Sequence, residues 1–139
     1  MRLSKLLAAA ALTTIAVPGL RAQSADPDDA EKAIRTRLKN DLRNLVTAQE
    51  SYYASHSAYA DILGNLAFRP SNGSEVSLVA TQNNAWAAVA SDPSWPGKSC
   101  VIFINLAEKY RPKTLQEKRS GETNDEGRPL CDGDSKSDK

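Results

Sequence analysis

Apolar side chains recur every three or four positions after residue 28, and neither Gly nor Pro interrupts them before residue 53. Such spacing is typical of one apolar stripe on an α-helix. It predicts a helix of about 25 residues, about 40 Å long, that has Asp28 or Asp29 as its N-cap and fades over residues 51–60. The stripe comprises Ala30, Ala33, Ile34, Leu38, Leu42, Leu45, Val46, Gln49 and Tyr52–Tyr53. We expect the opposite, polar face to be solvated: Lys32, Arg35, Arg37, Lys39, Asn40, Arg43, Asn44 and Glu50.

Three runs with strand character follow the helix. Residues 75–81 and 85–91 alternate between two sets of side chains, which predicts two strands. Residues 99–105 are apolar nearly throughout and predict a central, buried strand. Because short links join these runs, we expect an antiparallel meander with one face on the helix. The predicted fold class is therefore α+β, with a long N-terminal helix packed on a three-stranded antiparallel sheet over residues 29–106.

The composition changes after residue 106, where charged side chains replace most of the apolar ones. A segment of this kind buries too little apolar surface to order itself. We therefore expect residues 107–131 to form a loop and residues 132–139 to be frayed. Residues 23–28 also lack ordering signals and are expected to be disordered.

Residues 1–22 have the three-part layout of a secretory signal peptide. Basic residues precede an uncharged, Ala- and Leu-rich stretch over residues 6–20, and small residues follow it. The apolar run is shorter than the roughly 20 residues that span a bilayer as a helix. We expect export through the Sec pathway, cleavage between Ala22 and Gln23, and a periplasmic or extracellular protein without a stable membrane span. Cleavage after Ser24 and retention of the segment as a membrane anchor are the alternatives.

An exported chain folds in an oxidising compartment, and this chain has two cysteines. We therefore expect Cys100 and Cys131 to form a disulfide bond that pins residues 107–131 to the third strand. Two free thiols are the alternative. Two cysteines and one histidine are too few for a zinc site with four Cys or His ligands. The net charge of +1 argues against a protein that binds nucleic acid by neutralising many phosphates.

No set of residues in the sequence points to catalysis or to a cofactor. The one histidine, His56, has no general base beside it in the sequence and is expected on a surface loop. The Gly-x-Ser-x-Gly motif of many serine hydrolases is absent. We therefore expect a protein that is not an enzyme.

The acidic segment near the C-terminus superficially resembles a calcium-binding loop. Its acidic residues are Asp132, Asp134 and Asp138. Lys136 and Ser137 stand where that loop needs a ligand and a glycine. We therefore expect a solvated acidic tail and no structural metal. The remaining alternative is weak calcium binding that also involves Asp125 and Glu126.

Two aromatic residues are candidates for a contact surface. Trp95 lies in a loop rich in Pro and Gly, where an exposed ring would be suited to binding a partner; packing over the edge of the sheet is the alternative. Tyr110 is the second candidate, whereas Trp86 lies on an alternating strand and is expected in the core. A basic stripe on the helix is expected to be solvated, with docking to an acidic partner as the alternative; it comprises Arg35, Lys39 and Arg43.

The order of these elements resembles the globular head of type IV pilins and pseudopilins. Local sequence adds to the resemblance. Residues 41–53 resemble the end of the pilin helix, residues 66–73 the approach to the first strand, and residues 85–90 and 100–103 two strands, while residues 126–131 resemble the closing cysteine segment. The resemblance implies a pilin-like fold, no catalytic activity, and a C-terminal loop used for contact with other proteins.

One segment departs from the pilin pattern. Pilins carry a short basic leader and then an apolar helix with an early glutamate, which anchors the subunit and builds the filament core. Here the apolar stretch precedes the expected cleavage site and contains no acidic residue. The resemblance therefore implies a soluble head, whose partner is a protein of the cell envelope such as a pilus or secretion component. A soluble periplasmic binding or accessory module unrelated to filaments is the alternative.

Overall fold

The long helix predicted from the apolar stripe, α1, spans Pro27–His56 in a computed structural model that describes residues 26–135. Asp26, and not Asp28 or Asp29, is its N-cap. The Asp26 side chain accepts a hydrogen bond from the backbone N–H of Asp28 at 3.1 Å. The predicted caps were wrong because Pro27 occupies the first helical position. A backbone N–H at this position has no acceptor within the helix, so a proline, which lacks the N–H, is favoured there.

At its other end α1 runs to His56, further than expected, and Ser57 then takes a left-handed conformation with φ 54°. The His56 ring stacks on the Tyr52 ring one turn earlier, with 3.9 Å between the ring centroids. Side chains four residues apart on a helix stabilise it when they make contact, so this pair supports a last turn that is rich in serine. His56 is exposed as expected, but it lies on the helix and not on a loop.

The apolar stripe of α1 forms one wall of the core. Leu38, Leu42 and Leu45 are fully buried, which confirms the predicted spacing. Gln49 is also fully buried. Its side-chain amide donates to the carbonyl oxygen of Ala60 at 2.9 Å and accepts from the Ala60 N–H at 2.8 Å. A buried amide with both groups satisfied in this way fixes the chain that leaves the helix.

Four strands form one antiparallel sheet in the order β1-β2-β3-β4. They are β1 Glu75–Gln82, β2 Ala85–Ser91, β3 Cys100–Ile104 and β4 Leu130–Cys131. The prediction of three strands was wrong, because β4 pairs with β3 through Leu130 opposite Val101 and Cys131 opposite Cys100. A strand of two residues has too few positions to show an alternation in the sequence.

Both faces of the sheet bury side chains. Trp86 and Ile102 share a core with the α1 stripe, so the expectation that Trp86 is buried is confirmed. Ala87 and Phe103 follow these residues in the strands and belong to a second cluster. Because successive side chains of a strand point to opposite faces, this second cluster lies on the face away from α1.

Residues 107–131, which we call the closing loop, cover that second face. The Arg111 guanidinium lies 4.4 Å from the centroid of the Phe103 ring, and Gly121 is buried beside the same ring. The closing loop is thus an ordered layer with short helical turns, which its composition did not predict. The turns are Glu108–Tyr110 and Thr123–Asp125.

The expected signal peptide, its cleavage position between Ala22 and Gln23, and the last four residues lie outside the described residues. Within residues 26–135, no helix combines the length and the apolar character needed to cross a membrane.

The close approach of Gly121 to Phe103 generates a prediction. A Cβ at position 121 would lie 2.7 Å from Phe103 Cε1 and 3.2 Å from Asp125 Cβ. Gly121→Ala should therefore push the closing loop off the sheet and lower the free energy of unfolding by about 1–3 kcal/mol, measured by urea denaturation of the oxidised protein.

Gly64→Ala is the matched control, because the nearest atom to its added Cβ would be 3.8 Å away. This variant should unfold at a urea concentration close to that of the wild type. Equal stability of the two variants would show that the loop does not pack on Phe103 as described.

Candidate functional site

The disulfide bond joins two residues that already face each other in the sheet. Cys100 begins β3 and Cys131 ends β4, both are fully buried, and they are bonded. The expected pairing is therefore confirmed. The bond fixes the end of the closing loop to the strand that carries Phe103.

The residue that follows the second cysteine supplies a further attachment. The Asp132 carboxylate is fully buried and accepts hydrogen bonds from three backbone N–H groups: Ser99 at 2.8 Å, Gln116 at 3.2 Å and Glu117 at 2.8 Å. One carboxylate thus connects the start of β3, the middle of the closing loop and the chain after β4. The expectation that the chain is frayed from residue 132 onwards was wrong for this part of the tail.

The charge state of Asp132 is set by two opposed effects. Burial disfavours the ionised carboxylate and would raise its pKa. The backbone N–H groups of Glu117, Gln116 and Ser99 outweigh burial and hold the pKa of Asp132 below its ordinary value. The group is therefore a carboxylate at neutral pH, which is the form that accepts all three hydrogen bonds.

Asp134 connects the same tail to α1. Its carboxylate accepts from Lys39 Nζ at 2.7 Å and from the Cys131 N–H at 2.8 Å, and it lies 3.8 Å from Arg35 Nη1. Two of the three basic residues expected to be solvated therefore bind an acid of their own chain. The third, Arg43, is exposed and donates to the neutral side chain of Asn40 in the same helix.

Arginines inside the closing loop bind backbone carbonyls of the loop and of its flanking residues. Arg111 donates to the carbonyl oxygens of Leu106 at 3.0 Å and Gly121 at 3.2 Å. Arg119 donates to the carbonyl oxygens of Cys131 and Asp134, both at 3.0 Å. The sequence indicated that the disulfide bond alone holds the loop, whereas the structure adds these charged side chains.

The acids considered for calcium also bind backbone groups. Asp125 Oδ2 accepts from the Glu122 N–H at 2.9 Å, and Glu126 Oε1 accepts from the Asn105 N–H at 2.7 Å. Among residues 26–135, no group of three Asp, Glu, His or Cys side chains is arranged to hold a metal ion. Asp138 lies outside this range.

Trp95 is not part of an exposed surface. Only 4% of it is accessible, and it packs in the core beside α1. Asp92 turns the chain inward by accepting from the Ser94 N–H at 2.7 Å, and it forms an ion pair with Arg37 of α1. The structure contradicts the exposed alternative for Trp95 and favours the packed one, because this pairing folds the Pro-rich loop back onto the helix.

Tyr110 is the remaining candidate for contact, and it is exposed to 56% of its surface. Lys109 Nζ lies 4.7 Å from the centroid of its ring. Leu115, which the sequence did not single out, is exposed to 47% on the same closing loop. Its neighbour Thr114 is fully buried, so the alternation of buried and exposed side chains here became visible only in the structure.

A cavity of about 650 Å³ opens between α1 and the closing loop. Lys39 and Arg43 line it from the helix, while Arg119 and Arg128 line it from the loop. The sequence places these cations up to 89 positions apart, so no local pattern could have shown that they share a cavity.

The three hydrogen bonds of Asp132 generate a prediction about acid stability. Because its pKa is lowered in the folded protein, the carboxylate stabilises the fold above its unfolded value of about 3.9, and this contribution is lost as the pH falls through the folded value. Asp132→Asn should lower the free energy of unfolding at pH 7 by about 1.5–3 kcal/mol, measured by urea denaturation.

The same variant should show a weaker fall in stability below about pH 4 than the wild type. Asp61→Asn is the control, because Asp61 is exposed. Its free energy of unfolding should match that of the wild type both at pH 7 and below about pH 4. An Asp132→Asn protein as stable as wild type at pH 7 would contradict the assigned role.

No family model matches this chain, and neither the curated proteins nor the solved structures contain a match to it. The fold class therefore rests on the chain's own structure, an α+β arrangement of one helix and a four-stranded antiparallel sheet in the described residues.

Proposed function

We propose that this chain is an exported, non-enzymatic protein that resembles a pilin head and acts by binding other proteins through its closing loop. One observation carries the proposal. The closing loop is fixed at its end by Cys131 and across its middle by Asp132, yet it leaves Tyr110 and Leu115 exposed.

A loop held in this way is suited to binding. Tyr is enriched in interfaces because it brings a large apolar ring together with a polar group. Ordering of a flexible segment opposes association, so a loop that is already ordered binds at lower entropic cost. Fixed anchor residues that remain accessible are therefore expected at a contact site.

The resemblance to pilins is supported by the order of elements. A long amphipathic helix precedes the antiparallel sheet, and a disulfide bond closes the C-terminal loop. The disulfide also accords with export, because such bonds persist in oxidising compartments. The proposed partner is a protein of the cell envelope, such as a pilus or secretion component.

The absence of catalytic activity is part of the proposal. His56 is exposed at the end of α1, and its Nδ1 lies 2.9 Å from the carbonyl oxygen of Tyr52. A catalytic histidine normally has a nucleophile or an orienting carboxylate within hydrogen-bond distance. Neither is hydrogen-bonded to His56 within residues 26–135.

A second function, a soluble binding or accessory module of the periplasm unrelated to filaments, is favoured by one observation. The cavity between α1 and the closing loop has a volume within the range of small-ligand sites. A head that acts only through surface contact does not require such a cavity.

Site-specific cross-linking tests the contact function. A photoreactive amino acid at position 110 or 115 should cross-link one envelope protein in intact cells, because both side chains are exposed on the ordered loop. Mass spectrometry of the purified adduct should also show that the mature chain begins at Gln23 or within three residues of it.

The same photoreactive residue at position 40, exposed on α1, is the matched control and should give no such adduct. Equal cross-linking from all three positions would contradict a contact function of the loop. An intact Met1 on the membrane-bound protein would contradict cleavage and release.

A further inference from the structure

The cavity between α1 and the closing loop has an unusual distribution of charge. Four basic and three acidic side chains line it, so its formal charge is close to +1. Two of the cations are engaged within the chain. Lys39 binds the Asp134 carboxylate, and Arg119 forms an ion pair with Glu117 while donating to the backbone near β4.

The other two cations have no acidic partner among the described residues. Arg43 donates to the neutral amide of Asn40 at 3.1 Å. Arg128 makes no side-chain hydrogen bond or ion pair within residues 26–135. One comes from the helix and the other from the loop, so the cavity brings together two guanidinium groups that remain available to an anion.

The acids of the lining form hydrogen bonds with other groups of the chain. Asp134 is bound by Lys39 and by the Cys131 N–H. Glu122 and Asp125 form a reciprocal capping box, in which each side chain accepts from the backbone N–H of the other residue. All three carboxylates therefore serve contacts within the chain.

We propose that this cavity binds a carboxylate group, which Arg43 and Arg128 recognise together. Guanidinium groups match carboxylates in shape and bind them through paired hydrogen bonds. The carboxylates of Glu122 and Asp125 in the same lining disfavour an anion with two charges, such as phosphate, more than a monoanion. Pro129 and Leu130 also line the cavity and provide apolar contact for the carbon atoms next to the carboxylate.

The ligand class is thus a carboxylate, of the kind that a peptide carries at its chain terminus or on an acidic side chain. This inference goes beyond the proposed contact function of the closing loop, because it uses neither Tyr110 nor Leu115. Each of the two proposals can fail while the other holds.

Calorimetric titration of the purified, disulfide-bonded protein tests the inference. The probes are acetyl-Ala-Leu with a free terminal carboxylate, the same dipeptide as its amide, acetyl-aspartyl amide, and inorganic phosphate. We expect a carboxylate probe to bind at least tenfold more tightly than the amide dipeptide and phosphate. Comparison of acetyl-Ala-Leu with acetyl-aspartyl amide then identifies a chain terminus or an acidic side chain as the preferred source.

Variants assign the binding to the two arginines. Arg43→Gln and Arg128→Gln should each weaken carboxylate binding about tenfold, without changing the melting temperature, because both side chains are exposed. Arg69→Gln, an exposed arginine that does not line the cavity, is the matched control and should bind like wild type.

Several results would overturn the inference. If neither acetyl-Ala-Leu nor acetyl-aspartyl amide binds more tightly than the amide dipeptide, the carboxylate is not recognised. Tighter binding of phosphate would show that the ligand class is wrong. An equal loss of affinity in Arg69→Gln would show a general charge effect and no site in the cavity.

Discussion

The carboxylate of Asp132 is the constraint on which the C-terminal half of this structure depends. It is fully buried and accepts from three backbone N–H groups, one on the residue before β3 and two in the closing loop. A buried carboxylate without such donors would be strongly destabilising. The position of the loop and the ionisation of Asp132 therefore require each other.

This arrangement explains how a segment with few apolar residues covers a sheet. The closing loop contributes little hydrophobic burial of its own, and the second face of the sheet is small, formed by Phe103 and a few alanine and leucine side chains. Arg111 and Arg119 compensate by donating to backbone carbonyls of the loop and of its flanking residues. Charged residues that would otherwise favour disorder thus order the loop, because each binds a specific backbone group.

The sequence predicted the elements whose apolar side chains recur at regular spacing. The stripe with Leu38, Leu42 and Leu45 and the three longer strands follow from periodicity, and the cysteine pair follows from the expected oxidising compartment. The structure has all of them. The sequence left alternatives open where a single polar contact between distant residues decides the outcome. Asp92 and Arg37 turn Trp95 inward across 55 positions, and a local pattern carries no signal for such a contact.

The candidate site was predictable only in part for the same reason. Tyr110 could be selected as an apolar residue in a polar segment, but the burial of Thr114 beside the exposed Leu115 depends on hydrogen bonds made by Thr114 and Ser99. The two available arginines of the cavity are ordinary surface residues in the sequence. They line the same cavity only because the disulfide bond and Asp134 hold the C-terminal tail against α1.

Amide hydrogen exchange, followed by NMR on the native oxidised protein, tests the central role of Asp132 most directly. Gln116 and Glu117 are exposed residues of a loop, so their N–H groups exchange slowly only if the Asp132 carboxylate holds them. The account predicts that both exchange about as slowly as Ser99, while the neighbouring Lys118 exchanges rapidly. Rapid exchange of Gln116 and Glu117, at the rate of Lys118 and with Ser99 still protected, would contradict it.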